Sequence, residues 1–360
     1  MMNKEFDTSM FWDAGQTLTH NRLFNFIVGN RGGGKSYGAK KRGINNFIKN
    51  KEQFGYIRRY KDDLKEPMTQ FFEDIMWEYP DYEFKVDSKY FYIRLKPANE
   101  KEKWTKDDIA GYGFVLSTAS NKKSISYPNI TTLIFDEFLL DKGNQMYLPN
   151  EVDKLLNLYE TIARPGTNHP RVVLFMLANA LTITNPYFLY WNLKMPTKQD
   201  RNGKYIWKHP TKPILVEDVR NEAFIDSKRN TEFGQLVSGT KYADYSIDNK
   251  FFLDDDTFIE KKSPKARHYF NFVYKNQNYG VWADFTEGRM WVSNDIDPYC
   301  VLNYALTMKD HQPNTMFLKT YKRKAGHFNT FIENYKMGNV RFENMNIKNI
   351  TYEVIKMTMC

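Results

Sequence analysis

The sequence predicts an α/β protein, with a mostly parallel sheet covered on both faces by helices and a smaller α+β domain after it. Three observations carry this prediction. A glycine-rich loop, Gly29-Asn30-Arg31-Gly32-Gly33-Gly34-Lys35-Ser36, lies between an apolar run (23–28) and a helix-compatible run (37–48). Roughly 100 residues later, the apolar run 131–135 ends in Asp136-Glu137. From about Asp256 the pattern changes to short aromatic strands separated by turn residues.

The loop matches G-x-x-x-x-G-K-[ST] at every position, with a strand before it and a helix after it. Glycines let successive backbone N–H groups turn inward around a phosphate, and the following helix adds the positive end of its dipole. This is the phosphate loop of a P-loop NTPase, and ATP with Mg2+ is the expected ligand. Lys35 would reach the β- and γ-phosphates, Ser36 would bind the metal, and the loop residues with Tyr37 would line the nucleotide.

Residues 54–58 read as the second strand and run into Arg58-Arg59-Tyr60-Lys61. A basic cluster at a strand's carboxyl end either contacts phosphate, on a nucleotide or on DNA, or forms a solvated face. Residues 71–79 read as the apolar side of a helix. Residues 82–95 read as a hairpin turning at Asp87-Ser88-Lys89, and 96–108 as an exposed loop before a short strand at 112–117. The run 131–137 has the form of a Walker B strand. Asp136 would hold magnesium beside Ser36, and Glu137 would polarise the attacking water.

A helix is expected over 151–163 and a buried strand over 171–177, closing in Ala178-Asn179. Asn179 either senses the γ-phosphate or caps a turn. Arg164 either reaches a neighbouring subunit's nucleotide or partners its own helix C-terminus. Residues 194–213 are rich in Lys, Pro, Asn and Gly and read as a linker or an exposed insertion, followed by a polar helical stretch over 221–238. Strands are expected at 257–261, 268–274, 279–285 and 289–292, and helices near 325–335 and 350–357. The expected organisation is an ATPase domain over 1–193, a connecting region over 194–250 and a second domain over 251–360. Asp284, Asp295 and Asp297 do not form a convincing two-metal nuclease set.

Composition narrows the function classes. The net charge of +9 suits a polyanionic partner. Two cysteines, Cys300 and Cys360, build neither a disulfide framework nor a cysteine metal site. The first fifteen residues lack the apolar stretch of a signal peptide, and no apolar run approaches the roughly 18 residues of a membrane span. The acid beside Asp136 points to water as the nucleophile, and no second-substrate signature of a small-molecule kinase is visible.

With these residues in place, the chain resembles the DNA-packaging ATPase of small protein-primed tailed bacteriophages. The resemblance rests on Arg31–Ser36, Arg58–Lys61, Ile134–Phe138, Pro149–Val152, Asn185–Phe188, Phe258–Lys261 and Gly280–Trp282. It implies a homo-pentameric ring at the portal of a procapsid, in the host cytoplasm, driving double-stranded DNA inward. It implies a ribonuclease H-like C-terminal domain that has lost nuclease activity. Arg164 would be the trans-acting arginine, Lys61 an inter-subunit residue, and Lys142 part of a pore-facing loop that touches DNA phosphates. A packaging RNA between motor and portal is left open. The rival readings are a terminase-like nuclease-ATPase, another ring translocase or helicase, and a nucleotide-binding scaffold without turnover.

Overall fold

The computed structural model describes residues 11–97, 102–118, 126–140, 147–148, 150–164, 170–179, 185–220, 222–240, 258–321 and 325–359. The chain divides into two compact units. One comprises Met1–Thr182 with Leu193–Phe252, the other Ile183–Asn192 with Leu253–Cys360.

The first unit opens with a short helix, α1 (Ala14–Leu18), capped by the Asp13 carboxylate on the Gly15 N–H. There follow β1 (Phe24–Gly29), α2 (Lys35–Asn50), β2 (Gln53–Arg58) and α3 (Asp62–Thr69). The hairpin β3 (Tyr82–Asp87) and β4 (Tyr90–Leu95) leads to β5 (Ile109–Val115) and β6 (Ile130–Asp136). Helix α4 (Glu151–Ile162) and β7 (Val173–Asn179) come next. After α5 (Pro186–Trp191), which belongs to the second unit, the chain returns as β8 (Tyr205–Lys208) and β9 (Ile214–Val219). Two short helices, α6 (Glu222–Arg229) and α7 (Glu232–Val237), complete the unit.

These strands form one sheet in the order β3-β4-β5-β2-β6-β7-β1-β9-β8. The six strands from β5 to β9 run parallel to one another, and the antiparallel pairings lie at the two edges. β1 and β7 are buried at nearly every position, as two-sided coverage of a parallel sheet requires. A second consequence of the order is that β7 alone separates β1, which carries the loop, from β6, which carries the acids. Phe54, Phe71 and Phe91 pack against one another at ring distances of 4.5 to 5.3 Å on one side of this sheet.

Two expectations for this unit change. Residues 71–79 form turns and a single 3-10 turn (Met76–Glu78) instead of a helix. Aromatic side chains gain little in a helix, and burial of Phe71, Phe72 and Ile75 decides the local path. The segment 194–250, expected as connector, contributes β8 and β9 to the sheet. Ile214, Leu215 and Val216 lie buried along β1 in parallel register. Three consecutive apolar residues, two of them β-branched, were enough to join a sheet, although lysine and proline surround them.

In the second unit, β10 (Arg267–Tyr274), β11 (Gln277–Asp284) and β12 (Arg289–Ser293) make an antiparallel meander. β13 (Asn303–Ala305) lies parallel to β10, and β14 (Met316–Phe317) parallel to β13. After α8 (Leu318–Tyr321) and α9 (Gly326–Lys336), β15 (Val340–Phe342) pairs with β12, and α10 (Met345–Met359) closes the unit. The sheet order is β14-β13-β10-β11-β12-β15. Phe270, Phe272, Phe328, Phe331 and Val354 lie in its core. The strand expected at 257–261 is reduced, among its described residues, to one bridge between Ile259 and Phe342. Among the described residues, no helix is long and apolar enough to cross a membrane.

Candidate active site

The site is built where the parallel strands end. β1 stops at Gly29, and the chain turns through Asn30–Gly34 into the first turn of α2. Gly34 has φ +75°, and a Cβ there would meet the Phe11 ring at 2.4 Å. Both facts demand glycine. The N–H of Trp12 donates to the Gly33 carbonyl at 3.1 Å, so the segment before α1 lies across the loop. Lys228 on α6 donates to the Arg31 carbonyl at 3.1 Å from another side.

Lys35 is only 6% exposed. Its ammonium donates to the carbonyls of Asn30 (2.6 Å) and Gly29 (3.1 Å) and approaches the Asn179 amide oxygen at 3.5 Å. Burial lowers its pKa to about 8, against the opposing pull of Asp136 and Asp218 and with some help from Lys228. Asn179 reaches the ammonium because β7 pairs with β1 in register, Asn179 opposite Gly29.

The acids at the end of β6 face the loop. Ser36 Oγ donates to Asp136 Oδ1 at 3.1 Å, and the Glu137 N–H donates to the same oxygen at 3.1 Å. The Tyr56 hydroxyl approaches Asp136 Oδ2 at 3.4 Å. Burial, and then Asp136, pushes the Tyr56 phenol well above its ordinary pKa, so it stays a donor. Ser36 and Asp136 thus offer two hard oxygens side by side at the mouth of an anion loop. That donor set fits Mg2+, which takes one or two protein oxygens and fills its octahedron with phosphate and water.

Glu137 has φ +57°, a left-handed conformation costing about 1–3 kcal/mol for such a residue. Its carboxylate is exposed and accepts from Arg58 Nη2 at 2.6 Å. Arg59, the next residue along, is 3% exposed and forks onto Glu151, which is 2% exposed. The two N–O distances of that fork are 2.9 Å. Removing either partner alone would leave an unpaired buried charge, a loss of about 3–5 kcal/mol.

A cavity of about 490 Å³ is lined by the loop from Arg31 to Tyr37 together with Phe11, Asp74, Trp77, Asp136, Glu137, Ala178 and Asn179. Trp77 is held there because Lys41 and the Tyr37 hydroxyl bond Glu78, and Lys40 bonds Asp74. A second cavity of about 710 Å³ shares Phe11 and Tyr37 with the first and includes Gln16, Asn45 and Asn46 in its lining.

The structure therefore brings together Lys35, Ser36, Asp136, Glu137, Asn179 and Arg58. Lys61 is exposed at the start of α3, and Arg164 is exposed just after α4. Neither lines the cavity among its described residues. Lys142 lies outside the described residues. Sequence reasoning missed Tyr56, Phe11, Trp77 and Glu151. Glu151 had a signal in hindsight: a carboxylate at the first position of a helix whose later positions are apolar.

In the second unit the acids are occupied locally. Asp284 accepts from the Thr286 and Glu287 N–H groups and the Ser263 hydroxyl. Asp295 pairs with Lys262 at 2.7 Å, and Asp297 accepts from the Tyr299 N–H. Among the described residues, no group of three or more His, Cys, Asp or Glu could hold a metal.

Comparison with known proteins agrees along the whole chain. The family model for the podovirus DNA encapsidation protein (Gp16) matches residues 6–359. The DNA packaging protein of Bacillus phage phi29 is 38% identical over 350 residues, spanning 97% of this chain and 98% of its own. That of Bacillus phage B103 is 40% identical over 339 residues, spanning 94% and 98%. The solved bacteriophage phi-29 viral genome packaging motor assembly contains a chain 35% identical to this one. It superposes with a TM-score of 0.70, covering 97% of this chain and 100% of that one. This chain belongs to the podovirus DNA encapsidation protein (Gp16) family.

Proposed function

We propose that this protein is the ATP-hydrolysing motor that drives double-stranded viral DNA into a procapsid through its portal. The observation carrying this is the meeting of Lys35, Ser36, Asp136 and Asn179 at one mouth, in a chain whose full length matches DNA packaging proteins. The single strand between β1 and β6 and the acid after Asp136 support the P-loop division that splits ATP with water.

In this reading the loop amides and Lys35 bind the phosphates, and Ser36 and Asp136 would hold Mg2+. The metal, when bound, supplies charge neutralisation across the β- and γ-phosphates. Asn179 orients the γ-phosphate, and Glu137 takes a proton from the attacking water. The base and ribose lie towards the second cavity, where Gln16, Asn45 and Asn46 offer uncharged polar contacts. Glu137 must leave Arg58 to act, so Arg58 restrains hydrolysis until the pair opens.

The protein acts as a ring, a pentamer by family resemblance, in the host cytoplasm at the portal vertex. Arg164 enters the neighbouring subunit's site, and Lys61 also works between subunits. Lys142 meets DNA through its phosphates, since a motor that moves any sequence cannot rely on base readout. The second unit is ribonuclease H-like, a reading supported by its antiparallel meander with two parallel strands added beside β10.

Purified protein, portal-bearing procapsids, DNA and ATP test the reading, with nuclease-protected DNA as the signal. Protection is expected with the wild type and none with Lys35→Ala. Hydrolysis without any protected DNA would leave an ATPase of another kind. Arg164→Ala should lower turnover on the order of 10³-fold; near-normal turnover would remove Arg164 from the chemistry.

A further inference from the structure

We infer that Arg59 and Glu151 are positioning residues for the hydrolytic step, setting the conformation of the peptide that carries Glu137. The inference rests on the reading of Glu137 as the hydrolytic base. Residues 58 and 59 leave the end of β2 one after the other, and both engage the turn after β6. Arg58 takes the Glu137 carboxylate. Arg59 takes the backbone: Nη1 donates to the Glu137 carbonyl at 3.3 Å and Nη2 to the Phe138 carbonyl at 2.6 Å.

The rest of the guanidinium has no freedom. Its Nε and Nη2 fork onto Glu151, and the Phe135 and Tyr147 rings lie at 5.6 and 5.0 Å. Glu151 is fixed in turn by the Leu148 N–H at 2.7 Å. The Tyr147 hydroxyl accepts from the Leu140 N–H at 3.2 Å, so chain on both sides of 141–146 is tied to the same group. A left-handed non-glycine residue persists only where its surroundings over-determine it. Here the Glu137 N–H is held by Asp136 and the Phe138 N–H by the Leu177 carbonyl at 3.2 Å, and one buried cation pins the carbonyls of both residues.

Stability does not account for the pair. A buried ion pair is often no better than apolar side chains of similar volume. An apolar pair would fill this space, but it would present no donors to the Glu137 and Phe138 carbonyls. The arrangement therefore aims a carboxylate, and a base misplaced by about 1 Å can lose on the order of 10²-fold in rate.

The test uses the full chain in three variants. Arg59→Lys keeps the charge and loses the fork. Glu151→Gln keeps the shape and loses the charge. The double variant Arg59→Met with Glu151→Leu replaces the pair by apolar volume. We expect kcat to fall at least about tenfold in all three, with ADP affinity within about twofold of the wild type. We expect the double variant to regain part of the thermal midpoint lost in the single variants, the unpaired carbonyls and the Leu148 N–H keeping it below the wild type, and to regain none of the rate. Amide exchange should quicken at Glu137 and Phe138 while the interior of β6 stays protected. Full recovery of kcat in the double variant, or normal kcat and exchange in Arg59→Lys, overturns the inference. If the double variant does not fold, Arg59→Lys decides alone. A wild type without turnover would instead refute the hydrolase reading, and the exchange measurement would still judge the turn.

Discussion

Asp136 and Asp284 each end a β-strand, and each accepts hydrogen bonds from three groups, yet among the described residues Asp136 lines the cavity at the phosphate loop and Asp284 does not. The partners of Asp136 include Ser36 from the first turn of α2 and Tyr56 from the carboxyl half of β2, both far away in sequence. The partners of Asp284 are two amides of its own hairpin turn and the hydroxyl of Ser263. A parallel sheet brings many strand ends to one rim, and side chains from distant segments converge there. An antiparallel hairpin turns back at once, so its terminal acid is consumed by the turn.

The sharpest way to break this contrast is to neutralise an acid in each region. Glu137→Gln should lower ATP turnover by about 10²–10⁴-fold, the range for a lost general base. Asp284→Asn should leave turnover within about twofold and instead lower the thermal midpoint of the second unit. Burial alone would raise the Asp284 carboxyl pKa. The Glu287 and Thr286 amides, Ser263 and the charge of Lys265 outweigh that and hold it low. A carboxylate depressed in the folded state adds stability above its unfolded pKa and loses it as pH falls through the folded value. Acid unfolding of the second unit should therefore be blunted in Asp284→Asn. A turnover defect in that variant would place Asp284 in the chemistry.

The next largest effect concerns Lys35. With a pKa near 8, its ammonium is lost as pH rises through 8 in the free protein, while bound phosphate favours the charged form. Apparent ATP affinity should weaken about tenfold between pH 7 and pH 9. The Lys35→Met variant should bind poorly at both values and lose the slope. For stability the sign is opposite: a lysine depressed in the fold opposes folding at low pH and ceases to as pH passes from 8 to 10.5. Equal slopes in the wild type and Lys35→Met would discard the assignment.

The smallest effect comes from Arg58. If its pairing restrains Glu137, Arg58→Met should raise turnover without DNA by about 2–5-fold, the scale of a partly exposed ion pair. A fall instead would mean that Arg58 helps to place the carboxylate.

Much of the first region was legible because its signals are local. The loop glycines, Lys35 and Ser36 sit at fixed offsets, and the apolar run into Asp136-Glu137 names a buried strand by itself. The convergence of Asn179 with Lys35 was also readable, since both follow from strand ends in one sheet. What stayed hidden depends on pairing across long separations. Arg59 reads as one more charge in a basic cluster until Glu151, 92 residues on, is seen against it. β9 is a three-residue apolar core inside a lysine- and proline-rich stretch, and only its place beside β1 reveals it. Phe11 and Trp77 carry no motif, because a cavity wall needs only bulk in the right place.

The segment crossing the phosphate loop has a practical consequence. Trp12 is hydrogen-bonded to Gly33, and the Phe11 ring occupies the space that glycine leaves open at position 34. A fragment cut to begin at the first strand would keep the whole signature and lose one wall of the cavity at the loop. Expression tags fused close ahead of Phe11 would be carried to the same spot, so a weak binder made that way would misreport the intact protein.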